Sequence, residues 1–177
     1  MEEAVYYKSE KGTIYIRATG HVTALVCPRL KTAVFDRLEA APQVERIYLD
    51  LSGCEYMDST FLGLIVGAQK RFARLPGRRA GPAPTVVLLK VNPACVGLLR
   101  TIGVLGIVAI SDEEIPFPAD LARLSGESKS SARFILDAHE NLSELSADNR
   151  KRFETLSSIL KGAVEDEDRA GEDGKSG

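Results

Sequence analysis

Between Tyr48 and Gly67 the chain reads Tyr-Leu-Asp-Leu-Ser-Gly-Cys-Glu-Tyr-Met-Asp-Ser-Thr-Phe-Leu-Gly-Leu-Ile-Val-Gly. The chemistry of that stretch centres on Asp58, Ser59 and Thr60. A hydrophobic strand ends in a polar turn, Ser52-Gly-Cys-Glu55, and an apolar stripe at helical spacing then begins, so the three residues fall at a helix N-terminus. Backbone N–H groups without intrahelical partners and the positive end of the helix dipole converge there. A hydroxyl at such a point is suited to phosphorylation, because the added dianion meets donors and a favourable field. The same residue types dominate N-caps, so helix capping alone would also account for Asp58 or Ser59.

The other reactive groups carry weaker signals. Lys70, Arg71, Arg74, Arg78 and Arg79 form a basic run without an intervening acid. It could meet an acidic partner or a phosphate, although a solvated helix face running into a loop is the simpler reading. His21 reads as a polar turn residue at a strand end and His139 as a surface residue beside Glu140. Asp50, at the end of its strand, is placed to accept bonds from the following turn. Cys27, Cys54 and Cys95 are odd in number, with no CxxC pair, which argues against a disulfide framework or a structural metal. Cys54 lies near the motif and reads as a small buried hydrophobe.

The elements that position Ser59 alternate between strand and helix. Ala4 to Lys8 and Thr13 to Thr19 are β-rich runs broken at Lys11-Gly12, which predicts a hairpin. Pro28 to Ala41 carries Leu30, Val34, Phe35 and Leu38 at helical spacing, bracketed by Pro28 and Pro42. Arg46 to Leu51 is a strand, and Phe61, Leu64, Ile65, Ala68, Phe72 and Leu75 form the stripe of the helix that follows. Residues 76–84 read as a loop, Thr85 to Val91 as a buried strand, Pro93 to Ile102 as a helix and Gly106 to Ile110 as a last strand. This order predicts an α/β domain with one mostly parallel or mixed sheet.

Beyond Ser111 the composition changes. Residues 112–131 read as a connector, with a single helical turn over Ala119 to Leu124. Phe134, Ile135, Ala138, Leu142 and Leu145, then Phe153, Leu156, Ile159 and Leu160, mark two apolar stripes. Ser146, Asp148 and Asn149 between them offer capping oxygens, consistent with a helical hairpin or one interrupted helix. Such a stripe needs a partner. It packs back on the domain, pairs with a second copy to give a homodimer, or covers a binding surface. Residues 165–177 carry six acids against Arg169 and Lys175 and no aromatic, which predicts a disordered tail.

The chain is 177 residues, 44% apolar, with 23 basic and 25 acidic residues and a net charge of −2. That balance argues against a dedicated nucleic-acid binder, and 6% aromatics without tryptophan argue against a base-stacking platform. Met1 is followed by Glu2 and Glu3 with no apolar run, so neither a signal peptide nor membrane insertion is expected, and a cytoplasmic location is. No Gly-rich phosphate loop, metal-ligand cluster or nucleophile elbow is present, and Ser59 has no sequence-evident histidine base, so the chain does not read as an enzyme and no cofactor is expected.

The strand ending Asp50-Leu51-Ser52-Gly53, then Tyr56-Met57-Asp58-Ser59 and Leu62-Gly63-Leu64-Ile65-Val66-Gly67, resembles the STAS domain, best known from bacterial anti-sigma factor antagonists. The likeness spans about residues 4–111 and is densest from Leu49 to Gly67. It implies a single STAS-like α/β domain over 1–111, a mixed central sheet with packed helices. A connector over 112–131, an amphipathic helical extension over 132–163 and an acidic tail over 164–177 then follow. In that family the serine after the aspartate is phosphorylated by a partner kinase that is also the anti-sigma factor. By position Ser59 matches that serine, and Asp58, Ser59, Thr60, Phe61, Leu62 and Gly63 form the stretch that meets the partner. Thr60, Leu62 and Gly63 fit the family pattern, whereas Phe61 stands where its first glycine is expected. Helical spacing with Leu64, Ile65 and Ala68 points the phenyl ring inward and leaves Ser59 accessible; an outward ring would shield Ser59 or alter partner choice.

The resemblance thus implies a partner-switching transcription regulator. Unphosphorylated, it would dock on a serine-kinase anti-sigma factor, which then lets go of its sigma factor. Phosphorylated, it gains about −1.5 to −2 charge beside Asp58 and loses that docking until a serine phosphatase resets it. The alternative is a non-switching STAS scaffold in a large sensory or transport-associated assembly.

Overall fold

In the computed structural model, which describes residues 2–40, 44–76, 85–124 and 128–173, a six-stranded mixed sheet carries five helices. The expected hairpin joins β1 (Ala4–Glu10) to β2 (Thr13–Val22), with Lys11 and Gly12 both at positive φ (47° and 76°). A two-residue turn with both central residues left-handed matches the twist of the strands it joins. From β2 the chain passes through α1 (Cys27–Ala40) to β3 (Arg46–Met57), then α2 (Ser59–Ala73), β4 (Val86–Leu89), α3 (Pro93–Ile102) and β5 (Ala109–Ser111). Strands β2 to β5 are parallel, and the sheet order is β5-β4-β3-β2-β1-β6. Ile14 and Ile16 of β2 lie beside Ile47 and Leu49 of β3. Together with Val86 of β4 they face Leu30 and Val34 of α1 and Phe61, Leu64, Ile65 and Ala68 of α2.

Several expected boundaries shift. The supposed polar turn at 52–55 is strand: β3 runs on to Met57 because Cys54 and Met57 are buried and keep pairing with Gly20 and Val22 across irregularities in β2. Val104–Gly106 form a 3-10 turn, so the last parallel strand begins at Ala109 rather than Gly106. Pro42, Arg78, Arg79 and most of the 76–84 loop lie outside the described residues.

The connector over 112–131 is built into the domain. Ala122–Arg123, expected as part of a helical turn, form β6 and pair antiparallel with Tyr6 and Tyr7 of β1. The free edge of β1 supplies backbone hydrogen bonds that a single helical turn would lack. Phe117 packs edge-on against Tyr15 with ring centroids 5.2 Å apart, under the Arg17 guanidinium. The Ser128 N–H donates to the Leu25 carbonyl and the Ser130 hydroxyl to the Ala24 carbonyl, which brings the chain across the β2–α1 loop.

The extension then folds as a hairpin of α4 (Ala132–Ser143) and α5 (Ala147–Asp173). Ser131 caps α4 by accepting from the Phe134 N–H, and Ser146 accepts from the Asn149 N–H. Asn149, 1% exposed, donates to the carbonyls of Ile102 and Leu142 at 2.8 Å each, tying the hairpin to the end of α3. Helix α5 continues to Asp173, so residues 164–173 are helical instead of the disordered tail expected. Val164 is buried, Arg169 pairs with Glu165 and Asp166 one turn earlier, and Asp168 pairs with Arg133 of α4. Among the described residues no helix is long and apolar enough to cross a membrane.

Candidate functional site around Ser59

Helix α2 begins where β3 leaves the sheet, and Asp58 fixes that junction. Its backbone is extended (φ −93°, ψ 173°), and one carboxylate oxygen accepts from the Phe61 N–H at 2.9 Å. The other accepts from the Ala24 N–H at 2.8 Å, so a single side chain caps α2 and holds the β2–α1 loop against it. Burial, and next the Asp58 carboxylate, push the thiol of nearby Cys27 up. Because Asp58 does the capping, the hydroxyl of Ser59, the first residue of the helix, takes another partner.

That partner is His139. Its Nε2 lies 2.8 Å from Ser59 Oγ, and its Nδ1 lies 2.7 Å from the Ile135 carbonyl. A carbonyl can only accept, so Nδ1 carries the proton of the neutral ring and Nε2 presents a lone pair to the Ser59 O–H. The ring packs edge-on against Phe153 of α5 and is 2% exposed. His139 is thus buried in the α2–α4 seam, contrary to its expected surface position, because the stripe of α4 turns its face onto α2. Sequence reasoning missed this residue; the signal was its place one step after Ala138 on that stripe.

The remaining motif residues divide between two faces of α2. Phe61 points into the core at 0% exposure, among Leu30, Val34 and Leu49, as its spacing predicted. Thr60, Leu62 and Gly63 are buried as well, and every residue from Thr60 to Gln69 is covered. Ser59 itself is half-buried, its hydroxyl turned to His139 of α4, so the inward ring leaves it only partly open. At Gly63 an added Cβ would sit 2.1 Å from the Ala138 carbonyl oxygen, and at Gly67 2.9 Å from Asn141 Nδ2. Gly63 lets the two backbones approach to a distance no larger residue permits, and Gly67, one turn on, makes room for the Asn141 side chain. At the far end of the seam Lys70 donates to Asn141 Oδ1 and pairs with Glu144. Lys70 and Arg71 of the basic run are therefore engaged, with Arg71 paired to Glu39 and stacked over Phe35.

Away from the seam, Asp50 behaves as expected. Burial favours its neutral form, but bonds from Ser52 and the Arg17 guanidinium outweigh this and hold its carboxyl below the usual range. Cys54 and Cys95 are buried together, and burial followed by the neighbouring Cys95 pushes the Cys54 thiol up to about 12. Among the described residues no group of three or more His, Cys, Asp or Glu could hold a metal ion.

The fold around this site is a known one. SpoIIAA, an anti-sigma factor antagonist in its unphosphorylated form, superposes with a TM-score of 0.52 at 18% identity, over 62% of this chain and 90% of that one. A Thermotoga maritima protein provisionally assigned as an anti-sigma factor antagonist superposes with a TM-score of 0.50 at 24% identity, over 60% of this chain and 85% of that one. No curated protein matches the sequence. At such identities the likeness is one of fold. The extension after Ser111 lies beyond the family region: the model described as "Mlab, STAS domain" matches residues 6–109. With that match covering more than half of its length, the chain belongs to the STAS-domain family.

Proposed function

We propose that the protein is a partner-switching binding module of the anti-sigma factor antagonist type, with Ser59 as its phosphorylation switch. The observation that carries this reading is the division of labour at the start of α2: Asp58 caps the helix, so the Ser59 hydroxyl at the positive end of the dipole is not taken up by capping. Phosphate there would stand beside the Asp58 carboxylate. Its charge and bulk would repel an acidic or closely packed partner surface. The partners are a serine-kinase anti-sigma factor and a serine phosphatase in a bacterial cytoplasm, and the docking surface is the side of the Asp58–Gly63 stretch that carries Ser59 and Gly63, without Phe61, which lies in the core.

The Ser59–His139 pair has the hydrogen bonds of a nucleophile and its base, yet its arrangement favours binding over catalysis. The base rides on the element that covers the nucleophile. Any movement of α4 that admits a substrate to Ser59 also carries His139 away.

Intact mass of the protein from its native cells, before and after phosphatase treatment, followed by peptide mapping, tests the switch. A phosphatase-sensitive phosphate on Ser59, with strong capture of the kinase by Ser59→Ala and weak capture by Ser59→Asp, is the expected result. Absence of phosphate across growth and stress conditions, or equal capture by both variants, overturns it and leaves the non-switching scaffold.

A further inference from the structure

We propose that the α4–α5 hairpin is an intramolecular cover of the phosphorylation surface, latched to Ser59 by His139, and that it lifts as a unit before Ser59 meets any partner. The inference rests on reading Ser59 as the switch and adds the control of its exposure. The contact is centred on the motif. Ser59 bonds to His139, Gly63 abuts Ala138, Gly67 abuts Asn141, and Lys70 is held by Asn141 and Glu144, so four successive turns of one face of α2 all end on α4.

The latch and a phosphate on Ser59 exclude one another, because an esterified Oγ has no proton left to donate to His139. The 2.8 Å between Ser59 Oγ and His139 Nε2 is a hydrogen-bond length, with no space for a phosphorus atom and three further oxygens. Two features make lifting feasible. The ties at the two ends of this face, Ser59 to His139 and Lys70 to Asn141 and Glu144, are polar, and water replaces them on opening. The hairpin also has a cluster of its own, Leu136, Leu160 and Val164, which stays buried when the hairpin leaves. Phe134, Leu142 and Phe153, which join the main core, set the cost of opening.

Gly63→Ala separates the cover from the domain. Alanine is a better helix former than glycine within α2, whereas its Cβ would collide with a backbone atom of α4. Leu142→Ala loosens the same seam from the α4 side. The readout is N-ethylmaleimide labelling at position 59 in full-length Ser59→Cys chains, assigned by peptide mapping, alongside hydrogen exchange of the chains without that substitution. In the parent, position 59 labels slowly. Either variant speeds it by about ten- to a hundredfold. The amides of α4 lose protection with it, while those of β2 and β3 keep theirs. Fast labelling in the parent, rates unchanged in both variants, or α4 amides that exchange only together with those of β2 and β3 would each overturn the cover. A chain that opens in this way yet never carries phosphate on Ser59 keeps the cover and sinks the switch. Phosphate on Ser59 with α4 still protected does the reverse.

Discussion

Replacing Ser59 with alanine, the obvious way to hold the protein unphosphorylated, should do more than remove the acceptor hydroxyl. His139 Nε2 is buried, and its hydrogen-bond donor in the structure is the Ser59 O–H. Deleting one partner of a buried hydrogen bond costs about 1–3 kcal/mol, because the other is left desolvated. His139→Ala also removes a ring packed on Phe153 and should cost about 2–4 kcal/mol, in the range of large-to-small core changes. The double variant should fall short of the sum by about 0.5–1.5 kcal/mol, the worth of the bond itself. Urea midpoints at constant m-value give the four free energies, and hydrogen exchange of the α4 amides localises the loss to the hairpin. Additivity within about 0.3 kcal/mol would refute the latch. If the coupling is present, Ser59→Ala binds its partner more tightly than the unphosphorylated parent, since it lacks both the phosphate and part of the cover.

Three further outcomes check the structural basis. Phe61→Ala empties a fully buried position and should cost about 3–5 kcal/mol, lowering Tm by about 6–20 °C; a loss below about 1 kcal/mol would show that the ring is not in the core. Asp50→Asn should cost about 1–3 kcal/mol at pH 7, by urea unfolding, through its bonds with Arg17 and Ser52. The Asp50 carboxyl is held below its ordinary value in the fold, so its contribution is present above about pH 4 and is lost as pH falls through the lower folded value; parent and variant should converge in acid, and a gap that persists there would refute the assignment. Cys27, Cys54 and Cys95 are buried, with the Cys27 and Cys54 thiols pushed up, so Ellman's reagent should find no reactive thiol in the native chain and three after denaturation.

The domain was legible in the sequence where a segment has one buried face and one wet one. Ile14 and Ile16 alternate with Tyr15 and Arg17, and Phe61, Leu64, Ile65 and Ala68 repeat at helical spacing; both patterns gave the right element and the right inward face. Errors came where a segment answers to something outside its own periodicity. Ser52 to Glu55 look like a turn in isolation and are strand because β2 continues beside them. Ala122–Arg123 are strand because β1 has a free edge. The acidic tail helix is held by ion pairs to its own preceding turn and to α4, which composition does not register.

The missed cover had a signal in α2 itself. Leu62, Val66, Gly63 and Gly67 lie off the stripe that faces the sheet, yet none is charged, so α2 is apolar or small nearly all round. A helix of that kind is buried on both sides, and a STAS domain ending near Ser111 offers only one. The second layer therefore has to come from the extension, and its place on α2 decides how the switch can operate. A cover whose docking is worth about 3 kcal/mol leaves roughly one molecule in 150 open, and the apparent affinity for any partner of the Ser59 face falls by the same factor. A phosphate placed during such an opening would stand where His139 returns and would hold the hairpin off. One hydroxyl then reports on two equilibria, partner docking and hairpin docking. The partner competes with α4 for the unphosphorylated surface, and the phosphate excludes both.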